Sequence, residues 1–280
     1  MKNPRVGFQG ELGAFSQEAA RRLLGDDPRV VPYQKFEDVF RALDKKQIDA
    51  AVIPFENTLA GSVHENYDHL LNYQFRIIGE TNVRIVHNLI APPGVRFNEL
   101  RRVFSHPVAL NQCHDFFAAN PQVERIPFYD TAGSVKMVIT NKLRDAAGIA
   151  SRVAASIYKG KILKRSIEDD HRNFTRFCLL SARTFPINLS ISSTKDWKTS
   201  LVFTTKNVPG ALFKCISAFA LRDISLAKIE SRPLRGKPWE YLFYVDLLGR
   251  EDDPRVQKAL GHLEELADFL RVLGSYPKGA

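Results

Sequence analysis

Cysteine is scarce in this 280-residue chain, and Cys113, Cys178 and Cys215 are odd in number and far apart. That argues against a disulfide framework and for a reducing compartment. Long apolar runs are missing too: none approaches the ~18 residues that a membrane-spanning helix requires. No signal-peptide pattern stands before the first strand-like run, Arg5-Val-Gly-Phe-Gln9, so a cytoplasmic location is expected.

Cofactor signatures are equally thin. Gly7, Gly10 and Gly13 are spaced G-x-x-G-x-x-G, not the G-x-G-x-x-G of a dinucleotide cradle. His64 and His69 stand i, i+5, roughly 140° apart around a helix, which is the wrong geometry for two ligands of one metal. No paired cysteines offer an alternative. No spacing suggests a Ser-His-Asp or Cys-His triad. The basic residues Lys159, Lys161, Lys164 and Arg165 cluster without interleaved aromatics, which argues against a nucleic-acid footprint. No metal, cofactor, nucleic-acid or membrane partner is therefore expected.

What the chain does contain is ordinary globular material, 44% hydrophobic and 25% charged, long enough for two domains. A net charge of +9 favours small anionic substrates by steering. Up to about residue 180, short apolar strands alternate with amphipathic helices, the pattern of an α/β sheet. Strands are expected at Val6–Gln9, Val30–Tyr33, Ala50–Pro54, Val83–Leu89, Val103–Ser105, Arg125–Tyr129 and Ala147–Ala150. Core-facing helical stripes run through Phe36, Val39, Phe40 and Leu43; through Val63, Tyr67, Leu70 and Leu71; and through Ala109, Cys113, Phe116 and Phe117. The segment Thr184–Thr199 lacks periodicity and reads as a linker. Beyond it come strand Ser200–Thr205, a turn at Asn207-Val-Pro-Gly210, helix Ala211–Leu221, strands Ile224–Leu234 and Tyr241–Leu248, helix Pro254–Asp268 and strand Leu270–Tyr276. That β-α-β-β-α-β order is ferredoxin-like.

Polar residues collect where strands hand over to helices, the edge at which open α/β sheets bind ligands. The turn ending in Ala14-Phe15-Ser16 offers backbone N–H groups at a helix start, which suits a carboxylate. Pro54-Phe-Glu-Asn-Thr58 with Ser62 follows a strand, as do Ser105-His-Pro107 with Asn111-Gln112 and Asp130-Thr131. Helix capping explains Ser62 but not Glu56 with Asn57, whereas each of the other two clusters, taken alone, is more often a cap than a site. Within Asn173-Phe-Thr-Arg-Phe177, a strand expected to be buried at Phe174, Phe177, Leu179 and Leu180, a hydroxyl and a guanidinium demand partners. An anionic, hydroxyl-bearing ligand would supply them, and so would an ordinary salt bridge to the arginine beside an internally satisfied threonine.

Taken in order, Gly10-Glu-Leu-Gly-Ala-Phe-Ser16, Pro54-Phe-Glu-Asn-Thr58 with Gly61-Ser-Val63, Ser105-His-Pro107 with Gln112-Cys113, Asp130-Thr-Ala132 and Asn173-Phe-Thr-Arg-Phe177 resemble the bacterial prephenate dehydratase domain. Gly210-Ala-Leu-Phe213 and Glu230-Ser-Arg-Pro233 resemble an ACT regulatory domain. Thr58 stands where the family commonly has serine, and Val108 and Asn111 occupy positions that are often glutamine and alanine. The resemblance is to the monofunctional form. It implies an α/β architecture: a bilobed, periplasmic-binding-protein-like (type II) catalytic domain over 1–185, a linker over 186–198 and a ferredoxin-like βαββαβ ACT domain over 199–280. Lobe one would take about 1–74 and 162–185, lobe two about 75–161.

The activity so implied is conversion of prephenate to phenylpyruvate with loss of carbon dioxide and water, regulated by L-phenylalanine. Arogenate as substrate and a non-catalytic bilobed sensor are the alternatives. Catalytic residues by resemblance are Thr175, which would donate to the departing oxygen, Arg176, which would hold a carboxylate or brace the loop, and Glu56. The proton source is open. The substrate lining would comprise Ala14, Phe15, Ser16, Asn57, Thr58, Ser62, Ser105, His106, Gln112, Thr131, Asn173 and Phe177. L-phenylalanine would meet Asn207, Pro209, Gly210, Ala211, Leu212, Glu230, Ser231 and Arg232 between paired ACT domains. A homo-oligomer, a dimer of dimers, is implied as well.

Overall fold

The structure, a computed structural model, describes residues 4–25, 28–182, 196–234, 236–237 and 239–279. It divides into two compact units. One holds the described residues up to Gln74 and those from Thr81 to residue 182; the other holds Phe75–Glu80 and the C-terminal residues. Residues 186–195 of the expected linker lie outside the described residues.

The first unit opens with Arg5–Gln9 (β1), Phe15–Leu24 (α1), Arg29–Tyr33 (β2), Phe36–Asp44 (α2) and Ala50–Asn57 (β3). Val39, Phe40 and Leu43 of the α2 stripe are buried, as the 3.6-residue period requires. The two-residue Gly61–Ser62 (β4) folds back on β3, and His64–Asn72 (α3) follows. The expected strand Val83–Leu89 is in fact two, Arg76–Arg84 (β5), whose residues up to Glu80 fall to the other unit, and Asn88–Ala91 (β6). Residues 85–87 leave one sheet for the other, held by Ile85 N–H on the Asn173 carbonyl at 2.8 Å and Ile167 N–H on the His87 carbonyl at 2.9 Å.

Arg102–Ser105 (β7), Pro107–Asn111 (α4) and His114–Ala118 (α5) come next. The stripe Ala109–Phe117 is thus two short helices broken at Gln112–Cys113, although all four of its apolar residues are buried. Glu124–Pro127 (β8), Thr131–Thr140 (α6), Ala146–Ala150 (β9), Arg152–Ile157 (α7), Lys161–Lys164 (β10) and Phe174–Ser181 (β11) complete the unit. Lys164, part of the expected basic cluster, lies over the Phe97 ring at 4.4 Å.

Two sheets result. One is six-stranded, in the order β2-β1-β3-β11-β5 with β4 beside β3; the other is five-stranded, β10-β6-β9-β7-β8. This corrects the expected lobe limits: Arg76–Arg84 belongs to the first sheet and Lys161–Lys164 to the second, because pairing rather than sequence position decides membership. β11 runs antiparallel to β3, with a register shift between Arg176 and Phe177. Opposite that shift β3 carries one extra residue, Phe55, a bulge. The expected burial of Phe174 does not hold; it is 38% exposed, whereas Phe177, Leu179 and Leu180 are buried.

The C-terminal unit contains Trp197–Thr204 (β12), Ala211–Ala220 (α8), Leu226–Pro233 (β13), Tyr241–Leu248 (β14), Pro254–Leu266 (α9) and Phe269–Pro277 (β15). β12 starts inside the expected linker, since Trp197 and Lys198 already pair with β15. The four-stranded order β13-β14-β12-β15 is the ferredoxin-like one. Leu201, Phe203, Val245 and Leu247 pack under Cys215, Phe219, Val256 and Leu263 of the two helices.

Candidate active site

A cavity of about 450 Å³ lies in the first unit. Its wall is assembled from strand ends and crossovers: Gln9 and Ala14–Ser16 after β1, Pro54 and Asn57 of β3, Ile85 and His87 of the sheet crossover, His106 and Gln112 around α4, Thr131 at α6, and Thr175 and Phe177 of β11. The strand-end rule for open α/β sheets therefore holds here.

Thr175 pairs with Asn57 across the β11–β3 ladder, so both side chains stand on one face. Asn57 Nδ2 donates to Thr175 Oγ1 at 2.9 Å and to Asn173 Oδ1 at 2.7 Å. The hydroxyl accepts a hydrogen bond from the amide, so its own proton is left for another acceptor. Asn173 Nδ2 donates to Gln112 Oε1 at 2.9 Å, and Gln112 Nε2 reaches Asn57 Oδ1 at 3.3 Å.

Ten of the fifteen residues expected here line the cavity: Ala14, Phe15, Ser16, Asn57, Ser62, His106, Gln112, Thr131, Thr175 and Phe177. Glu56 and Arg176 do not. They are ladder partners one residue along, so strand alternation turns them to the opposite face, where they form an ion pair at 3.7 Å. Arg176 thus braces the two strands from behind. Thr58 is also withdrawn: its hydroxyl donates to the Arg172 carbonyl at 2.8 Å and accepts from Phe174 N–H at 3.0 Å. Ser105 is fully buried and donates to the Ile149 carbonyl at 2.8 Å. Asn173 is buried behind the wall and acts through Asn57 and Gln112.

Several wall residues were not foreseen, among them His87, Glu65 and Tyr129, while Asp130, expected only as part of a strand-end cluster, lines the wall as well. His87 stands between apolar neighbours in Val83–Leu89, and a polar pair His87-Asn88 inside such a run was the available signal. Burial pushes its pKa down, which keeps the ring neutral. Asp130 caps α6 by accepting from Ala132 N–H and Gly133 N–H and also takes Glu11 N–H at 3.0 Å. Burial nonetheless raises its pKa against those three bonds.

No lysine or arginine among the described residues lines the cavity. The first-turn N–H groups of α1, at Phe15 and Ser16, are the cationic end of a dipole facing it. They are the groups suited to a carboxylate.

In the C-terminal unit, Asn207, Pro209 and Gly210 are exposed, and Ala211 and Leu212 begin α8 half-buried. Gly210 is left-handed at φ +77° and forms the N-cap without a side chain of its own. Ser231 opposes Phe243 and shares its sheet face, the one that carries the helices, whereas Glu230 and Arg232 oppose Tyr244 and Leu242 on the other face. The expected trio is therefore split between two faces, and Glu230 pairs with Lys228 at 2.9 Å.

A family model described as prephenate dehydratase matches residues 6–184. The chain belongs to the prephenate dehydratase family. A second model, the ACT domain, matches residues 199–265. Among curated relatives, an arogenate dehydratase/prephenate dehydratase of Arabidopsis thaliana is 44% identical over 98% of this chain and 72% of its own length. An arogenate dehydratase of Petunia hybrida is 42% identical over 98% and 71%. Among solved structures, the prephenate dehydratase of Arthrobacter aurescens in complex with L-Phe superposes with a TM-score of 0.88 at 29% identity, covering 98% of this chain and 90% of the other. A protein described as a novel type of quorum quenching acylase gives 0.86 at 30% identity, covering 98% and 97%. The expected α/β architecture, with two sheets in the dehydratase segment, and the expected ACT domain are both present.

Proposed function

We propose that this prephenate dehydratase family member converts prephenate to phenylpyruvate in the cavity of its first unit. One observation carries the reading: Thr175 Oγ is fixed as an acceptor by Asn57 Nδ2, which leaves its hydrogen for a ligand oxygen in the wall it lines. Prephenate loses a ring carboxylate as carbon dioxide; the bonding pair shifts into the ring as the 4-hydroxyl leaves, and one proton converts that oxygen to water. Thr175 donates to the departing oxygen, and aromatisation supplies the driving force. The α1 N–H groups of Phe15 and Ser16 hold a carboxylate. Glu56 and Arg176, on the opposite strand face, support this geometry without touching substrate.

Thr175→Ala is expected to lower kcat by about 10²–10⁴-fold, the usual worth of a positioned proton donor, with KM little changed. Unchanged kcat in steady-state assays of phenylpyruvate formation would sink the assignment.

A second substrate, arogenate, is favoured by the absence of lysine or arginine and the presence of Glu65 and Asp130 in the described wall. Its ammonium lessens the negative charge to be accommodated. Parallel turnover of the two acids by the purified chain ranks them.

The domain division that fits is catalytic up to about residue 185 and regulatory from about 199. L-phenylalanine would bind near Gly210 and the β13 strand at paired ACT units of a homo-oligomeric dimer of dimers, and the likeness to an enzyme solved with L-Phe supports this. Feedback inhibition surviving deletion of residues 195–280 would refute it. Cys113, Cys178 and Cys215, all buried and none in a disulfide, fit a reducing, cytoplasmic setting. No described helix is long and apolar enough to cross a membrane.

A further inference from the structure

Asn57 has its amide orientation dictated by backbone. Its Oδ1 accepts from Leu59 N–H at 3.0 Å and Ala60 N–H at 2.8 Å, and its Nδ2, whose two hydrogens serve Asn173 and Thr175, also lies 3.1 Å from the Phe174 carbonyl. Main-chain groups cannot exchange donor for acceptor, so this amide cannot flip. The constraint then propagates. Asn173 must present Oδ1 to Asn57 Nδ2, which turns its own Nδ2 toward Gln112. Gln112 must meet that donor with Oε1. The His87 ring nitrogen Nε2, 3.0 Å from the same Oε1, must therefore carry a proton. The opposite tautomer would set two lone pairs against each other and bury an N–H at Nδ1, which has no hydrogen-bond partner among the described residues.

The geometry points to His87 as a positioning residue that sets the polarity of the cavity wall. With Asn173 it saturates Gln112 Oε1, so the Gln112 amide presents N–H rather than C=O to the ligand. Flipping Gln112 would break both bonds and confront two donors with a third. In a wall without lysine or arginine among its described residues, where Glu65 and Asp130 oppose an anion and the α1 N–H groups favour it, the sense of the Gln112 amide adds to the attraction or to the repulsion. His87 is itself held in place: its backbone N–H donates to Glu168 Oε2 at 2.9 Å and its ring edge meets Phe15, with centroids 6.0 Å apart. Nothing in this role requires the imidazole to touch substrate or to change charge.

The inference rests on the dehydratase reading, and its test separates the two. In the full-length protein labelled with ¹⁵N-histidine, the His87 ring is expected to resonate at neutral pH as a neutral imidazole with its proton on Nε2. A proton on Nδ1, or a cationic ring, overturns the assignment whatever the enzyme's substrate. His87→Phe, which removes the donor, should lower kcat/KM by about tenfold or more, as should Gln112→Leu. Because one residue acts through the other, adding His87→Phe to Gln112→Leu should cost no more than about twofold further. Independent, multiplicative losses overturn the role. If His87→Phe does not fold, the ¹⁵N spectrum of the unaltered protein still decides. If the unaltered protein turns over neither acid, the dehydratase reading falls while the spectrum continues to test the tautomer.

Discussion

Two glycines open helices in this chain, one in each unit, and they do so for opposite reasons. Gly13 precedes α1 at φ +92° and Gly210 precedes α8 at φ +77°, so both occupy the left-handed region that disfavours a side chain. Around Gly13 the space is filled. A Cβ there would lie 2.6 Å from the Ala154 Cα, its carbonyl accepts from Ser151 Oγ at 2.6 Å, and its N–H donates to Gln17 Oε1 at 2.7 Å. Around Gly210 a Cβ would meet nothing within 4 Å, and residues 206–210 are exposed. The same sequence signal thus marks closure at one helix start and access at the other. A turn that is packed shut fixes a wall, whereas a turn left open can admit something else.

Substitutions can break this contrast. Gly13→Ala combines backbone strain with a clash against main chain, and is expected to cost about 2–4 kcal/mol in denaturant unfolding. A loss under 1 kcal/mol would mean that the turn is not packed shut. Ser151→Ala removes both the bond to the Gly13 carbonyl and the α7 cap at Ala154 N–H, and should cost about 1–2 kcal/mol. Asp130 reads the same turn through Glu11 N–H. Its carboxyl is raised by burial above the unfolded value of 3.8. Folding therefore favours the protonated form, so this group's contribution to stability is present below that value and lost as pH rises through the folded one. Asp130→Asn should flatten stability against pH in the window just above pH 3.8. Gly210→Ala is expected to be the mildest change, about 1 kcal/mol of strain with no steric term, leaving turnover intact while weakening any response to L-phenylalanine. An equal loss of stability at the two glycines would erase the distinction between them.

Much of the architecture was legible because it rests on periodicity. The 3.6-residue stripe of α2 and the ferredoxin-like strand order follow from apolar spacing that the core then enforces. The breaks at residues 85–87 and at Gln112–Cys113 were not, because an apolar run reads the same whether the chain continues in one sheet or crosses to another. The motif Thr175-Arg176 was legible as a site, and of the two roles open to Arg176, holding a carboxylate or bracing, the strand's own geometry leaves the second. Neighbours on a strand face opposite ways, so at most one of them could line the wall. His87 escaped notice because its importance lies in which groups it contacts, and those contacts, to Gln112 at position 112 and onward to Asn173, span distant parts of the chain.

The bulge at Phe55 has a consequence for how one strand serves two needs. In an unbroken strand, Pro54 and Asn57 are three residues apart and would point to opposite sides. The extra residue shifts the alternation, so both reach the cavity: one as apolar floor, the other as the amide that orients Thr175. Removing a single residue there would restore regular pleating and reverse one of the two. The reactive wall is in this sense a phase defect, and its chemistry depends on a count of residues as much as on their identity.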